Sequence, residues 1–301
     1  APLWAALTRP DDESRVALRA GERWVPRLAK LSLPQSHSPA QRVSADRTYL
    51  VSGGLGDLGF VAAERLIALG ARHIALLGRS APSPKRAAQL EQLRAQGNAI
   101  YVLSADVTDR DSLQRALAGL RRSAPAIGGV VHAAGVLDDA TLQNLTAGRM
   151  GRVLAPKVLA PALLAEQLPQ LDFFVLFSSV TGVLGSAGQA PYAAANAYLD
   201  AWAHARAERA APAISLDWGA WSDIGMASGG SARANVEQSA LGALTPAEGA
   251  DLFELLLSTT LRQVAPVAFA AESLAALAEQ LPLLADLAGV RRHLHHTLNC
   301  L

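Results

Sequence analysis

Tyr192, Asn196, Ser178 and Ser179 are the residues of this chain whose types and spacing suit chemistry. Tyr192 and Asn196 stand four apart in a helical pattern that opens near Pro191, so their side chains share one face. Ser178 and Ser179 follow the apolar run Phe173 to Phe177, where a buried strand ends. A parallel α/β sheet binds ligands beyond the carboxyl ends of its strands, and this segment brings a phenol, a hydroxyl and an amide to such an edge. A phenol there can give a proton to the alkoxide that develops as hydride reaches a ketone, provided a nearby cation lowers its pKa from about 10 toward neutrality. A hydroxyl donor beside it stabilises the oxyanion. Taken singly, the same residues also suit a turn serine, a half-buried tyrosine and a surface asparagine. The combination requires a cofactor site and a cation elsewhere in the chain.

The elements that must position these groups are legible as a pattern. Short apolar runs at Thr48 to Ser52, His73 to Leu77, Ala99 to Leu103, Gly129 to Ala133, Phe173 to Phe177, Ala213 to Asp217 and Val264 to Phe269 predict strands. Amphipathic stretches at Gly59 to Leu69, Pro84 to Gln96, Asp111 to Arg122, Arg149 to Gln167, Tyr192 to Arg209 and Pro246 to Ser258 predict helices between them. This repeated βαβ alternation predicts a doubly wound, Rossmann-like α/β fold with a mostly parallel sheet.

The first of these strands runs into Ser52-Gly53-Gly54-Leu55-Gly56-Asp57-Leu58-Gly59, and a helix follows. Gly53, Gly56 and Gly59, with Leu55 and Leu58 between them, suit a tight turn, close backbone approach to a pyrophosphate and a helix N-terminus that favours anions. A glycine-rich turn without a ligand is the alternative, and the strand and helix on either side favour the dinucleotide. An NAD-binding chain of this type carries Asp or Glu about 20 residues further on. Here Arg79 and Ser80 end the second strand, and a guanidinium there suits a 2′-phosphate, so NADPH is expected rather than NADH. Asp106 and Val107 after the third strand, and Ala133, Ala134 and Gly135 after the fourth, reach the same edge. His132 reads as a hydrogen-bonded structural histidine.

Composition narrows the function classes. The 301 residues are half apolar, enough for a large core, and the net charge of +1 gives no field to attract nucleic acid. One cysteine, Cys300, excludes an intrachain disulfide framework and a cysteine-built metal site, and fits a reducing cytoplasm. No apolar run reaches the roughly 18 to 20 residues of a membrane span. No metal site is expected, and a soluble cytoplasmic protein is.

One difficulty remains at the chemical segment. Common short-chain dehydrogenases place lysine four residues after the tyrosine, and here that residue is Asn196. The segments TYLVSGGLGDLG, HAAGVLDDATL, LAPKVLAP, FSSVTGVLGSAGQAPYAAANAYLDA and SLDWGAWSDIGMA together resemble the ketoreductase domain of modular polyketide synthases, within the short-chain dehydrogenase/reductase superfamily. In that family the lysine and asparagine positions are exchanged. The resemblance implies that Lys157 holds the cofactor ribose and lowers the tyrosine pKa, that Tyr192 contacts the cofactor and donates the proton, that Ser179 polarises the ketone and that Asn196 supports the relay. It implies a β-ketoacyl thioester on the phosphopantetheine arm of an acyl carrier protein as substrate, and other synthase domains as partners. Leu137, Asp138 and Asp139 match the Leu-Asp-Asp of B-type members, which give a D-configured β-hydroxyl. Leu184 stands where A-type members carry tryptophan, and Ala194 where epimerising members carry proline. A catalytically silent dinucleotide-binding scaffold, or a nucleotide-sugar epimerase or dehydratase, are the rival readings, and Asn196 tells against the epimerase.

The flanks differ from the body. Residues 1–42 read as a hairpin, Arg15 to Leu18 and Glu22 to Leu28, followed by the linker LPQSHSPAQR. VALRAGERWVPRL resembles the closing strands of the family's structural subdomain, which implies an excised piece of a multidomain synthase. Such a hairpin is marginal alone and should dock on the body or on a domain absent here. Residues 43–289 form the catalytic domain in this reading, and 290–301 a solvated tail. Trp221 to Leu244 suits a mobile lid or a solvated loop.

Overall fold

The computed structural model describes residues 2–8, 11–32, 42–209, 211–225, 241–269, 271–289 and 297–300. A short helix, α1 (Pro2–Thr8), precedes a hairpin of β1 (Ala17–Arg19) and β2 (Glu22–Leu28). The body then alternates: β3 (Thr48–Ser52), α2 (Asp57–Ala68), β4 (His73–Gly78), α3 (Pro84–Ala95), β5 (Ala99–Ser104), α4 (Arg110–Leu120) and β6 (Ile127–His132). It continues through α5 (Ala147–Gln167), β7 (Phe173–Ser179), a single turn α6 (Thr181–Leu184), α7 (Ala190–Ala207) and β8 (Ile214–Trp218). The last elements are β9 (Leu241–Gly242), α8 (Pro246–Leu257), β10 (Gln263–Val264), β11 (Ala268–Phe269), α9 (Ala271–Gln280) and β12 (Thr297–Cys300).

Seven strands form one sheet in the order β10-β8-β7-β6-β3-β4-β5, and every pairing is parallel. The expected doubly wound fold is therefore present. β3 and β7 are buried along their whole length, which explains why they read as unbroken apolar runs. Helices α2, α3 and α8 cover one face through Phe60, Leu66, Leu90 and Phe253. Helices α4, α5 and α7 cover the other through Leu113, Leu117, Leu164 and Leu199. The chain reverses its winding between β3 and β6, and the crevice at such a switch point is where an open parallel sheet takes its ligand.

Two expectations need correction. Val264 to Phe269 is not one strand: Gln263–Val264 pairs with β8, while Ala268–Phe269 turns away to pair antiparallel with β9. Pro266 lies between them, has no N–H to donate to a ladder, and gives its carbonyl to the Gly219 amide at 3.0 Å. The tail is not wholly solvated, since Thr297–Cys300 adds a parallel strand to β2. The segment expected as a lid is only partly described. Trp221 and Leu244 are buried and bridged to each other, whereas 226–240 lie outside the described residues, as do linker residues 33–41 and tail residues 290–296. The hairpin docks on the body, where Leu28 packs with Val183, Leu283 and Leu284. Among the described residues no helix is long and apolar enough to cross a membrane.

Candidate active site

The glycine turn is built by steric necessity. Gly53 has φ +72°, and a Cβ there would lie 2.7 Å from the Ala134 amide nitrogen. A Cβ on Gly59 would lie 2.4 Å from the Gly53 carbonyl oxygen, so α2 packs directly on the turn. Gly56 caps α2 without any side-chain hydrogen bond, which leaves the N-terminal amides of that helix open to an anion. A cleft of about 590 Å³ opens in front of them. Its wall includes Gly53, Gly56, Leu58, Gly59, Arg79, Asp106, Val107, Ala133, Ala134 and Gly135, all expected from the sequence. Leu55 and Ser80 fall outside this wall. The Leu55 carbonyl instead accepts from Arg86 Nε at 3.1 Å.

Lys157, Ser179, Tyr192 and Asn196 converge next to that cleft. Lys157 on α5 follows Pro156, a cleft residue, and is 3 % exposed. Its ammonium donates to the Phe177 carbonyl at 2.7 Å and sits 5.7 Å from the centre of the Tyr192 ring. Burial pulls it down to about 8, against the upward pull of Asp200 and Asp217. Asn196 is fully buried one turn beyond Tyr192. Its amide donates to the Tyr192 carbonyl at 2.8 Å, and its Oδ1 has no partner within the protein. Burial raises the Tyr192 phenol, while hydrogen bonds from Asn196 and Ser179 pull it back down. That direction is opposite to the shift expected from Lys157: burial is the largest cause, and the negative charge of Asp139 adds to it.

His132 is held by both ring nitrogens. Ser52 Oγ donates to Nδ1 at 2.6 Å, and Nε2–H donates to the Pro156 carbonyl at 2.8 Å. It thus ties the end of β3 to the turn of α5 that carries Lys157. The ring is fully buried and its pKa is pushed down to about 3, first by burial and then by the charge of Lys157.

The loop after β6 is clamped. Asp138 accepts from Arg149 Nε at 2.9 Å and from Arg152 at 2.5 Å, and these two guanidinium groups, Arg152 before Arg149, hold its carboxyl below the usual range. Asp139 accepts from Gln189 Nε2 at 2.9 Å, and the Ala140 amide donates to the Gly188 carbonyl at 2.9 Å. Asp138 and Asp139 are therefore neither helix caps nor free loop acids. Thr146 is the residue that caps α5, through a bond from the Arg149 amide at 3.3 Å.

The sequence profile of the KR domain matches residues 47–223, more than half of the chain and all of the geometry above. The chain belongs to the KR-domain family. Phthioceranic/hydroxyphthioceranic acid synthase of Mycobacterium tuberculosis (strain ATCC 25618 / H37Rv) is 39% identical over 239 residues, which is 77% of this chain and 11% of that protein. Polyketide synthase GfsA of Streptomyces halstedii is 43% identical over 226 residues, 74% of this chain and 3% of that protein. Among solved structures, an A-type ketoreductase from a modular polyketide synthase superposes with a TM-score of 0.85 at 31% identity, covering 96% of this chain and 62% of that one. The first ketoreductase of the tylosin PKS gives 0.80 at 33% identity, covering 96% and 64%. The KR domain thus spans about a tenth or less of these curated relatives, and a little under two thirds of these solved chains.

Sequence reasoning missed several residues of this KR domain. Arg152, Ala155 and Pro156 line the cleft because α5 runs past its mouth, and Arg152 also holds Asp138. Thr108, Val136 and Gly225 line it too, and the Gly225 amide donates to Asp57 at 3.2 Å. Asp200 and Asp217, which act on Lys157, were not singled out either. Two acids in otherwise apolar segments, AYLDAWA and ISLDWGA, were the available signal.

Proposed function

We propose that this domain uses NADPH to reduce a β-ketoacyl thioester, carried on the phosphopantetheine arm of an acyl carrier protein, to a D-configured β-hydroxyacyl thioester. The observation that carries this reading is a half-buried phenol, Tyr192, whose own backbone carbonyl accepts from Asn196, with Ser179 at the adjoining strand end and the Lys157 ammonium 5.7 Å from its ring, beside a glycine-lined cleft.

The cleft fits the cofactor. The uncapped N-terminus of α2 and the Cβ-free surfaces of Gly53 and Gly59 suit a pyrophosphate, and Arg79 on the wall suits a 2′-phosphate. Ala133, Ala134 and Gly135 leave room for a ribose and base. NADPH, when bound, supplies the hydride. Ser179 donates a hydrogen bond to the ketone oxygen and stabilises the negative charge that grows there. Tyr192 gives its proton to that oxygen, and Lys157 binds the ribose hydroxyls and favours the resulting phenolate. Asn196, with an Oδ1 free of protein partners, is placed to hold a water that returns a proton to the site.

Leu137, Asp138 and Asp139 are assigned the control of product handedness on the strength of the family likeness. Residues 43–289 are the catalytic unit in this reading, with 1–42 a piece of a structural subdomain and 290–301 a tail. Other synthase domains are the expected partners, a reading supported by how little of each curated relative the chain spans.

The direct test follows NADPH oxidation with a β-ketoacyl thioester mimic and resolves the product enantiomers. NADPH-dependent formation of the D-alcohol is the expected result. Tight NADPH binding without turnover would favour a silent scaffold, and an L-alcohol would overturn the role of Asp139. The cofactor assignment has its own check in Gly59→Ala. The added methyl meets the Gly53 carbonyl, so the turn must open at a cost of about 1–3 kcal/mol. NADPH affinity measured by calorimetry should fall roughly tenfold or more. An unchanged affinity would place the pyrophosphate elsewhere.

A further inference from the structure

Beneath the site lies a cluster of buried polar groups that the mechanism above does not use. Asp200 on α7 is 7 % exposed and Asp217 on β8 is 1 % exposed. Ser215 Oγ is 2.7 Å from Asp200 Oδ1 and 3.5 Å from Asp217 Oδ1, and Gln263 Nε2 donates to Asp217 Oδ2 at 2.7 Å. Ser215 Oγ thus lies between the two carboxyl groups, and Ser178 Oγ donates to the Asn196 carbonyl at 3.2 Å. Where two carboxyl groups flank one hydroxyl in a dry interior, burial and their mutual repulsion disfavour a second negative charge. Asp217 behaves accordingly: burial, then the charge of Asp200, raises it well above the usual range.

The nearest use for the one remaining charge is Lys157. Its ammonium is buried, its direct partner is the neutral Phe177 carbonyl, and the next residue on β7, Ser178, is registered with Asp217 on β8. The charged and titratable groups acting in this region are Asp200 on α7, Asp217 on β8, Tyr192 on α7 and His132 on β6, with His204 reaching Asp217 only through Gln263. Of these, the two aspartates alone can supply a counter-charge while the phenol stays protonated.

We propose that the buried carboxyl groups of Asp200 and Asp217, held together by Ser215, form a paired counter-charge that positions the Lys157 ammonium inside the site. This deepens the reading above, which gives Lys157 a role that only a protonated amine fulfils. The pair touches none of the reacting atoms, so both are positioning residues.

The design makes a distinctive prediction. Asp217→Asn and Asp200→Asn each leave one carboxyl of the pair in place, so either single variant keeps a group that can serve as counter-ion. Asp200→Asn/Asp217→Asn removes it. The chain has three lysines, Lys30, Lys85 and Lys157, so ¹⁵Nζ-labelled lysine gives a spectrum in which Lys157 is assigned by one substitution. In the unmodified protein Lys157 should titrate near 8. Each single variant should leave that midpoint close to where it was, and the double variant should lower it by about one pH unit or more, a tenfold change in proton affinity. The titration needs neither substrate nor cofactor, so it stands apart from whether the domain reduces ketones. A folded double variant with an unmoved midpoint overturns the proposal, as does a single variant that shifts it as far as the double. Should the double variant not fold, infrared spectroscopy of the unmodified protein at neutral pH provides the second measurement. A protonated-carboxyl band that disappears in Asp217→Asn supports the pair, and absence of such a band overturns it.

Discussion

Tyr192→Phe is expected to lower NADPH-dependent ketone reduction by about 10²- to 10⁴-fold, the usual contribution of a positioned general acid. Its effect on NADPH affinity should be small. Phenylalanine keeps the ring against which Lys157 lies and removes only the hydroxyl. Losing a half-buried hydroxyl also removes its desolvation cost, so the fold should not suffer by more than about 1 kcal/mol. Following NADPH oxidation on a small thioester, alongside calorimetric titration with NADPH, separates the two effects. Turnover within tenfold of the parent would assign the proton to another donor. Loss of cofactor binding would make the tyrosine a structural element of the cleft.

The second large effect is on acid stability and comes from His132. Its pKa is about 3 in the fold, against 6.5 for a free imidazole. The unfolded chain therefore binds a proton there across a range where the folded chain does not. By linkage, the stability that His132 contributes is complete above about pH 6.5 and is lost as pH falls toward 3, at up to about 1.4 kcal/mol per unit. The full loss is on the order of 5 kcal/mol, a large share of an ordinary domain's stability. Asp217 opposes this trend, because a carboxyl raised in the fold gains a proton there before the unfolded chain does. A difference experiment isolates the histidine. Denaturant unfolding of the parent and of His132→Asn, from pH 7 to pH 4, should show the parent's advantage shrinking steadily with acid. Two curves that stay parallel would mean that the imidazole binds its proton equally in the folded and unfolded chain.

How much of this was legible depends on whether a feature is local in the chain. The sheet was, because β3 and β7 are buried on both faces and read as unbroken apolar runs, and because Gly53, Gly56 and Gly59 mark a turn where backbone must meet backbone. Tyr192 and Asn196 were legible from helical spacing, and Lys157 only through the family likeness, since nothing in the spacing of α5 says that it faces Tyr192. The Asp200 and Asp217 pair needs α7 to lie across β8, a juxtaposition with no one-dimensional signal. The clamp of Arg149 and Arg152 on Asp138 is hidden for the same reason, with a 3₁₀ turn at Leu142–Asn144 between the acid and the helix. The division of Val264 to Phe269 was signalled by Pro266 and outvoted by the apolar residues around it. The raised Tyr192 phenol depends on how dry its surroundings are, which spacing does not encode.

The stitched loops on either side of the opening bear on how such domains can be re-engineered. Asp139 is bonded to Gln189, the Ala140 amide to Gly188, and Asp138 to two arginines of α5. A donor loop exchanged at 137–139 alone would arrive without its ties and leave Arg149, Arg152 and Gln189 without their acceptors. The smallest portable cassette therefore runs from the end of β6 through the first turn of α7, taking lock and key together. Cut points belong within β6 and beyond Tyr192, inside regular elements whose backbone geometry any donor of this fold shares.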